Sequence, residues 1–148
     1  MNLSEATCVV TGSGTGIGRA IAVAVAAGGA RAVCFGRRRS VLEETVTEIE
    51  QTGGRASFVV GDVSKREDVA NLVSHCEERY GGIDVLVNNA GRFHSIGGLH
   101  EIDPEDWWAD VTVNLYGPML MISSILPGML SRDRGVIINM DGGRPAGG

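Results

Sequence analysis

The sequence predicts an α/β fold in which a doubly wound parallel sheet of about five strands carries helices on both faces. Short apolar runs alternate with segments of helical periodicity, most of the runs are rich in valine, and the first run leads into a glycine-rich turn. Valine-rich runs are typical of strands buried on both faces, and strand–helix alternation produces parallel strands joined by right-handed crossovers. The predicted strands are residues 6–11, 31–36, 56–61, 83–88 and 135–140.

The segments between the predicted strands have the apolar periodicity or the end-capping residues that are typical of helices. Residues 16–28 place apolar side chains at helical spacing. Two further helices are predicted to begin at capping boxes, in which a serine hydroxyl and a glutamate three residues later satisfy free N–H groups. The capping boxes are Ser40 with Glu43 and Ser64 with Glu67, and these helices end at Gly53-Gly54 and Gly81-Gly82. The last helix is predicted from Asp103, as its cap, to about Leu130, with Pro104 in its first position.

The turn after the first strand predicts a nucleotide site. Glycines permit positive φ and close approach of a ligand, and the following helix directs free N–H groups and the positive end of its dipole at an anion. A P-loop would need a lysine after Gly18, where Arg19 stands, and the strict dinucleotide fingerprint fails at Ile17. The spacing of the turn leaves dinucleotide and methyltransferase cofactors open. The turn consists of Thr11, Gly12, Ser13, Gly14, Thr15, Gly16, Ile17 and Gly18.

Three arginines follow the second strand, at Arg37, Arg38 and Arg39. An NAD-dependent enzyme usually places an acid there to bind the ribose 2′-hydroxyl, and a methyltransferase needs a similar acid. Guanidinium groups instead suit a 2′-phosphate by charge and geometry. Arginines also oppose the dipole at a helix start, a local cost that a bound phosphate would offset. The run therefore favours NADP over NAD, although a solvated basic helix start is the alternative.

Polar residues also follow the third and fourth strands. Asp62 offers a carboxylate that can accept an adenine amino group, beside Val63, or it only helps to start the next helix. The segment Asn88-Asn89-Ala90-Gly91 leaves room for a flat ring, and its amides can lock the turn to neighbouring strands.

Composition excludes several classes of function. The 148 residues suggest one domain, 43% of them are hydrophobic, and the net charge of −5 argues against general nucleic-acid binding. No unbroken apolar run reaches the ~18–20 residues that span a bilayer, and residues 1–10 lack the features of a signal peptide. Cys8, Cys34 and Cys76 are interpreted as small buried hydrophobes in a reducing cytoplasm, and no metal site is expected.

These motifs, together with Val113-Asn114-Leu115, resemble in order and spacing the short-chain dehydrogenase/reductase family and its Rossmann-like fold, over residues 5–140. The resemblance implies hydride transfer between NADP and a small alcohol or carbonyl substrate. It assigns the pyrophosphate to residues 12–18, and Asn114 as the family's catalytic asparagine. The remaining assignments are Arg37 and Arg38 to the 2′-phosphate, Asp62 and Val63 to adenine, and Asn89, Ala90 and Gly91 to the nicotinamide ribose side.

Asn114 also has a physical interpretation. Pro118 has no N–H, so the carbonyl four residues earlier, that of Asn114, receives no helical hydrogen bond. We expect the helix to bend there and to expose an acceptor that a water can fill, which the family is thought to use in a proton relay. A simple proline kink in a core helix is the alternative.

The family's Tyr-x-x-x-Lys pair is absent from the sequence. The single lysine, Lys65, lies upstream of both tyrosines, and Gly142 aligns with the serine that the family uses to hold a substrate carbonyl. We therefore expect the amino-terminal part of a longer dehydrogenase, truncated after the fifth strand and with little activity alone. Its expected parts are a dinucleotide-binding domain over residues 1–140 and a flexible glycine-rich tail over 141–148.

Two other functions remain open, an NADP-binding module without catalysis and a partner that completes its sheet through the bare edge of the fifth strand. In the family the helix over residues 104–130 contributes to a dimer interface, so an exposed apolar patch and a homo-oligomer are expected. The patch is predicted from Trp107, Trp108, Leu120, Ile122, Ile125 and Leu126. His94 and His100 lie on the expected substrate side, where loop histidines are more often solvated than catalytic.

Overall fold

The computed structural model describes residues 3–142, and it confirms the predicted α/β class with one five-stranded parallel sheet. The strands are β1 Thr7–Thr11, β2 Arg31–Gly36, β3 Arg55–Val60, β4 Val85–Asn88 and β5 Val136–Asn139. The helices are α1 Gly16–Ala27, α2 Arg39–Gln51, α3 Arg66–Tyr80, α4 Pro104–Val111 and α5 Gly117–Ser131. Residues 143–148 of the predicted tail lie outside the described residues.

The strand order is β3-β2-β1-β4-β5, so the chain reverses its direction of travel across the sheet between β3 and β4. β1 is the central strand, with Val9 opposite Val33 of β2 on one side and Leu86 of β4 on the other. The crevice beyond the carboxyl ends of β1 and β4 is therefore the topological switch point, where doubly wound sheets bind ligands.

Two apolar layers cover the sheet. In one layer α1 and α2 pack on one face of the sheet, around Cys8, Val10, Leu42 and Ile49. In the other layer α3 and α5 pack on the opposite face, around Val9, Phe35, Leu72, Leu86 and Met121. All residues of β1 and β4 are buried, as their apolar sequences predict. The three cysteines are free and buried, which confirms their predicted place in the core.

The two predicted capping boxes are wrong. α2 begins at Arg39, one residue before Ser40, and its N-cap residue Arg38 makes no side-chain cap bond. α3 begins at Arg66 after an N-cap at Lys65, because the Ser64 hydroxyl donates instead to the Asp62 carboxylate at 2.7 Å. The cap at Asp103 is confirmed, since its carboxylate accepts the Glu105 N–H at 2.8 Å.

The last helix contains an irregular segment where the sequence predicts one. α4 continues through a π-helical segment, Thr112–Tyr116, into α5, and the Gly117 N–H bonds to the Thr112 carbonyl five residues earlier. Pro118 lies in the first turn of α5, so the missing N–H is accommodated by a π-bulge. Taken as one helix, Pro104–Ser131 is long and apolar enough to cross a membrane, a criterion that core helices also meet.

Apolar side chains remain exposed on this helix and at the sheet edge. Trp107, Trp108, Leu126 and Leu130 are exposed on α4 and α5. Leu120 and Ile125 are only 3% exposed and belong to the core, so their predicted place in the patch is wrong. Ile122 is partly buried against the core. β5 pairs with β4 alone within residues 3–142, and its side chains are largely exposed.

Candidate functional site

A cleft of about 270 Å³ lies at the carboxyl ends of the central strands. It brings together predicted cofactor residues from four separate parts of the chain, the first turn, the arginine run, the segment after β3 and the segment after β4. Those on its wall are Gly12, Gly14, Thr15, Arg37, Arg38, Asp62, Val63, Asn89, Ala90 and Gly91. The predicted clustering of these segments is therefore present in the fold.

The first turn presents backbone to this cleft. Gly12 has φ +66°, and a Cβ at this position would lie 2.9 Å from the Ala90 Cα. Gly16 also has positive φ, +55°, with open space around it. The N-cap residue of α1, Thr15, makes no side-chain cap bond, so no side-chain cap covers the first N–H groups of the helix. The turn thus offers N–H donors and room for an anion.

Four residues of this turn that the sequence assigned to the cofactor do not lie on the wall of the cleft. Ser13 is fully buried, and its hydroxyl accepts the Phe35 N–H at 3.0 Å, so its side chain ties the turn to β2. Gly18 packs under the turn against the Gly12 carbonyl and the Asn89 side chain. Ile17 is 65% exposed and lines a second cavity, and Gly16 stands at the start of α1 outside the cleft wall.

The arginine run divides into two functional parts. Arg37 and Arg38 are exposed at the cleft and form no ion pair among residues 3–142. Arg39 pairs with Glu43 at 3.4 Å, and its guanidinium lies 5.2 Å from the centroid of the Phe58 ring. α2 has no acidic residue in its first turn. Two guanidinium groups and the positive end of α2 therefore line the cleft, and Asp62 is an acidic residue on the same wall.

Asp62 is held in a turn that leads into α3. Its Oδ1 oxygen accepts the Ser64 N–H at 2.9 Å and the Ser64 hydroxyl at 2.7 Å. Partial burial opposes ionisation, but these hydrogen bonds and the charges of Arg37 and Lys65 outweigh it and hold the pKa of Asp62 below its ordinary value. The carboxylate is therefore ionised at neutral pH. The side chain of Asp62 thus shapes the turn before α3 through Ser64, and it bonds to no N–H group of the helix among the described residues. The adenine contact stays a prediction.

Thr11, at the end of β1, holds the segment after β4 in place. Its hydroxyl accepts the N–H groups of Asn89 and Ala90, both at 2.9 Å, and donates to the Val87 carbonyl at 3.3 Å. The Asn89 side chain donates back to the Thr11 carbonyl at 2.9 Å. Asn88 likewise donates to Asn139 of β5 at 2.9 Å. The predicted locking by asparagine amides is confirmed, whereas the sequence assigned no such role to the threonine hydroxyl.

A larger cavity of about 1210 Å³ adjoins the cleft at Asn89, Ala90 and Gly91. Its walls are mostly apolar side chains of the loop after β4 and of α5. Asn114 lies on its wall, with its side-chain oxygen accepting the Arg92 N–H at 2.8 Å and its side-chain nitrogen donating to the Arg92 carbonyl at 2.6 Å. The side chain of Asn114 thus fastens a loop, and the role of its own carbonyl stays a prediction.

The two tyrosines and the lysine, which could supply a proton, lie away from the larger cavity. Asp141 and Gly142 line the larger cavity, but neither tyrosine nor Lys65 does. Tyr80 donates to the Ser57 hydroxyl at 3.0 Å, and Tyr116 packs against the core. A search of residues 3–142 finds no group of three or more histidine, cysteine or acidic side chains that could hold a metal.

Comparisons with known proteins agree with this geometry. The family model described as short chain dehydrogenase matches residues 6–143. A short chain dehydrogenase of Pseudocercospora fijiensis is 38% identical over 141 residues, covering 93% of this chain and 45% of the relative. An uncharacterized oxidoreductase of Staphylococcus saprophyticus is also 38% identical, covering 95% of this chain and 60% of the relative. The chain thus spans about half the length of these curated relatives.

A solved structure shows the same fold in the presence of a cofactor. A metagenomic short-chain oxidoreductase in complex with NADP superposes with a TM-score of 0.89 and 37% identity, covering 99% of this chain and 67% of that one.

Proposed function

The chain belongs to the short-chain dehydrogenase family, and on this premise we propose that it binds NADP in the cleft at the switch point. The pyrophosphate lies over the backbone of Gly12, Gly14 and Thr15, and the 2′-phosphate lies between Arg37 and Arg38. The adenine lies against Asp62 and Val63, and the nicotinamide ribose is next to residues 89–91.

The observation that carries this proposal is the pair of guanidinium groups at Arg37 and Arg38. Both are exposed at the cleft beside the start of α2, and neither forms an ion pair among the described residues. A 2′-phosphate would neutralise them, whereas the 2′-hydroxyl of NAD would not. Gly12 supports the same cofactor, because it lies on the cleft wall with its backbone exposed to a ligand and with a positive φ of +66°.

The larger cavity is the proposed place for a small alcohol or carbonyl substrate, since it adjoins the nicotinamide end of the cleft at Gly91. When bound there, the cofactor would supply a hydride in its reduced form, NADPH, or accept one in its oxidised form, NADP⁺. The apolar side chains of its wall suit the carbon skeleton of such a substrate, and Asn114 holds the Arg92 backbone beside it. Gly142 has no side chain that could hold a substrate oxygen.

We further propose that the 148 residues alone bind the cofactor without turnover, because they contain no Tyr-x-x-x-Lys pair. The exposed tryptophans of α4 support a homo-oligomer through the helix over residues 104–130. The free, buried cysteines support a cytoplasmic location.

Titration calorimetry with NADP and NAD tests the cofactor proposal. We expect NADP to bind more tightly, and the double variant Arg37→Ala, Arg38→Ala to lose at least about 10–100-fold in NADP affinity, which is the loss for a single charged hydrogen bond of about 1.5–3 kcal/mol. The matched control is Arg39→Ala, which removes a guanidinium already paired with Glu43 and leaves affinity unchanged. Equal affinities for NAD and NADP would contradict the assignment of the arginines.

Turnover is tested separately, by following NADPH oxidation with a panel of ketones. We expect no rate above background for a chain that binds NADPH in the calorimeter. Robust turnover would refute the inactivity proposal and leave the cofactor proposal standing.

A further inference from the structure

The loop segment that follows Gly91 is fastened to one face of the last helix. The segment comprises residues 92–95, and Arg92 and Phe93 lie on the wall of the larger cavity. The side chains that hold the segment are Asp106, Asp110 and Asn114, which are spaced four residues apart. A spacing of four places side chains on the same face of a helix.

Asp110 makes the most contacts with this segment. Its Oδ2 oxygen accepts the backbone N–H groups of His94 at 2.9 Å and of Ser95 at 2.8 Å, and its Oδ1 oxygen accepts the Arg92 guanidinium. The residue is only 7% exposed. Burial opposes ionisation, but the N–H groups of Ser95 and His94 and the charge of Arg92 outweigh it and lower the pKa of Asp110 to about 2.

The Arg92 guanidinium bonds to the helix through both of its terminal nitrogens. It also donates to the Asp106 carbonyl at 2.7 Å and to the Asp106 carboxylate at 2.6 Å, and its side chain is 19% exposed. Hydrogen bonding to Asp106 and the charge of Asp110 raise the pKa of Arg92. Arg92 therefore serves to anchor the loop to the helix.

The residues just before Gly91 are held by β1, because the Thr11 hydroxyl accepts the N–H groups of Asn89 and Ala90. Residues 89–95 are thus fastened at 89 and 90 by Thr11, at Arg92 by Asn114, and at 94 and 95 by Asp110. Gly91 lies between these anchors, on the wall of both cavities. Anchors on both sides leave the exposed backbone between them little freedom to move.

We propose that Asp110 is a positioning residue for the nicotinamide end of the cofactor site, an inference that rests on the proposed NADP binding. By fixing residues 92–95, it holds Gly91 in the position that the nicotinamide ribose needs. The adenine end, at Arg37, Arg38 and Asp62, is built from other elements and does not depend on Asp110.

The test compares two probes in the calorimeter, NADP and adenosine 2′,5′-bisphosphate, which occupies only the adenine end. We expect Asp110→Asn to weaken NADP binding about tenfold. This is the loss that results when only about a tenth of the molecules hold the loop in the conformation that binds NADP. Binding of the bisphosphate stays within about twofold of wild type. The matched control is Glu105→Gln, which removes one carboxylate from the same helix. The Glu105 side chain makes no hydrogen bond in the described chain, so we expect this variant to leave both affinities unchanged.

Equal weakening of both probes would overturn the positioning role, because a general loss of structure affects both ends of the site alike. Unchanged binding of both probes would overturn it as well. If wild type binds neither probe, the proposed function itself fails. Should Asp110→Asn not fold, Arg92→Gln provides the same comparison, with an expected selective loss of about threefold for NADP.

Hydrogen exchange of the unliganded wild-type chain is an independent measurement. The N–H groups of His94 and Ser95 are expected to exchange more slowly than that of Phe93, which has no backbone partner in the described chain. Exchange of all three at the same fast rate would show that the segment is not fastened, and would overturn the proposal without any variant.

Discussion

Replacing Thr11 by valine tests whether a single hydroxyl organises the junction of β1 and β4. Thr11 is 1% exposed, and its Oγ1 takes part in three hydrogen bonds, with the Asn89 N–H, the Ala90 N–H and the Val87 carbonyl. Valine has nearly the same shape and an equal or better strand preference, so the change removes these bonds and little else.

The magnitude follows from the number of groups left without partners. A typical hydrogen bond contributes about 1 kcal/mol net, and a buried group left unsatisfied costs about 1–3 kcal/mol. Asn89 and Ala90 are only partly buried, so water can reach some of the freed N–H groups. We therefore expect Thr11→Val to lower the free energy of unfolding by about 2–4 kcal/mol.

The same strand provides a matched control. Thr7 is fully buried, but its hydroxyl has no hydrogen-bond partner among residues 3–142, so Thr7→Val removes an unsatisfied group. This substitution is expected to be neutral or to stabilise the chain by about 1 kcal/mol. Two identical substitutions four residues apart should thus have opposite effects.

Urea denaturation followed by far-ultraviolet circular dichroism measures both variants. Linear extrapolation with a common slope converts the midpoints into free energies of unfolding. If Thr11→Val and Thr7→Val destabilise the chain equally, within about 0.5 kcal/mol, the reasoning from hydroxyl partners is refuted.

Two further predictions concern the turn and the loop anchor. Gly12→Ala adds a Cβ against the Ala90 Cα at a residue with φ +66°, so it should lower the melting temperature and abolish NADP binding. Gly53→Ala, at φ +80° with nothing within 4 Å, carries only the backbone strain, and an equal melting temperature for both variants would refute the clash. The stability that Asp110 contributes should be complete above about pH 4, the ordinary range of its pKa, and should be lost as the pH falls towards its folded pKa of about 2. Urea denaturation of wild type and Asp110→Asn at about pH 6, 4 and 2.5 checks this, and a difference that does not shrink at the lowest pH would contradict it.

Local patterns in the sequence predicted most of the fold. The alternation of valine-rich runs with amphipathic segments identified the five strands to within about two residues at each end. Helix starts were less accurate, because Ser40 and Ser64 match a capping pattern that the actual helix starts do not use. At Ser64 the nearby Asp62 carboxylate competes for the hydroxyl, a contact that depends on the path of the turn.

The candidate site shows the same division. The glycine spacing, the arginine run and Asn114 are visible in the linear sequence, because each is a short motif at the end of a predicted strand or within a predicted helix. The sequence could not show that Ser13 faces β2, or that only two of the three arginines are free for a ligand. It also could not show the anchoring of Arg92, because Asp110 contributes through partners 15–18 residues away.

The sequence by itself determined the α/β class, the order of strands and helices along the chain, and the glycine-rich turn, because these depend on side-chain periodicity and on the backbone freedom of individual residues. The tertiary structure decided which polar groups pair. The Thr11 hydroxyl and the Asp110 carboxylate acquire their roles only when β1, β4 and the last helix meet. The physical reason is the short range of hydrogen bonds, since their partners are set by how the elements pack.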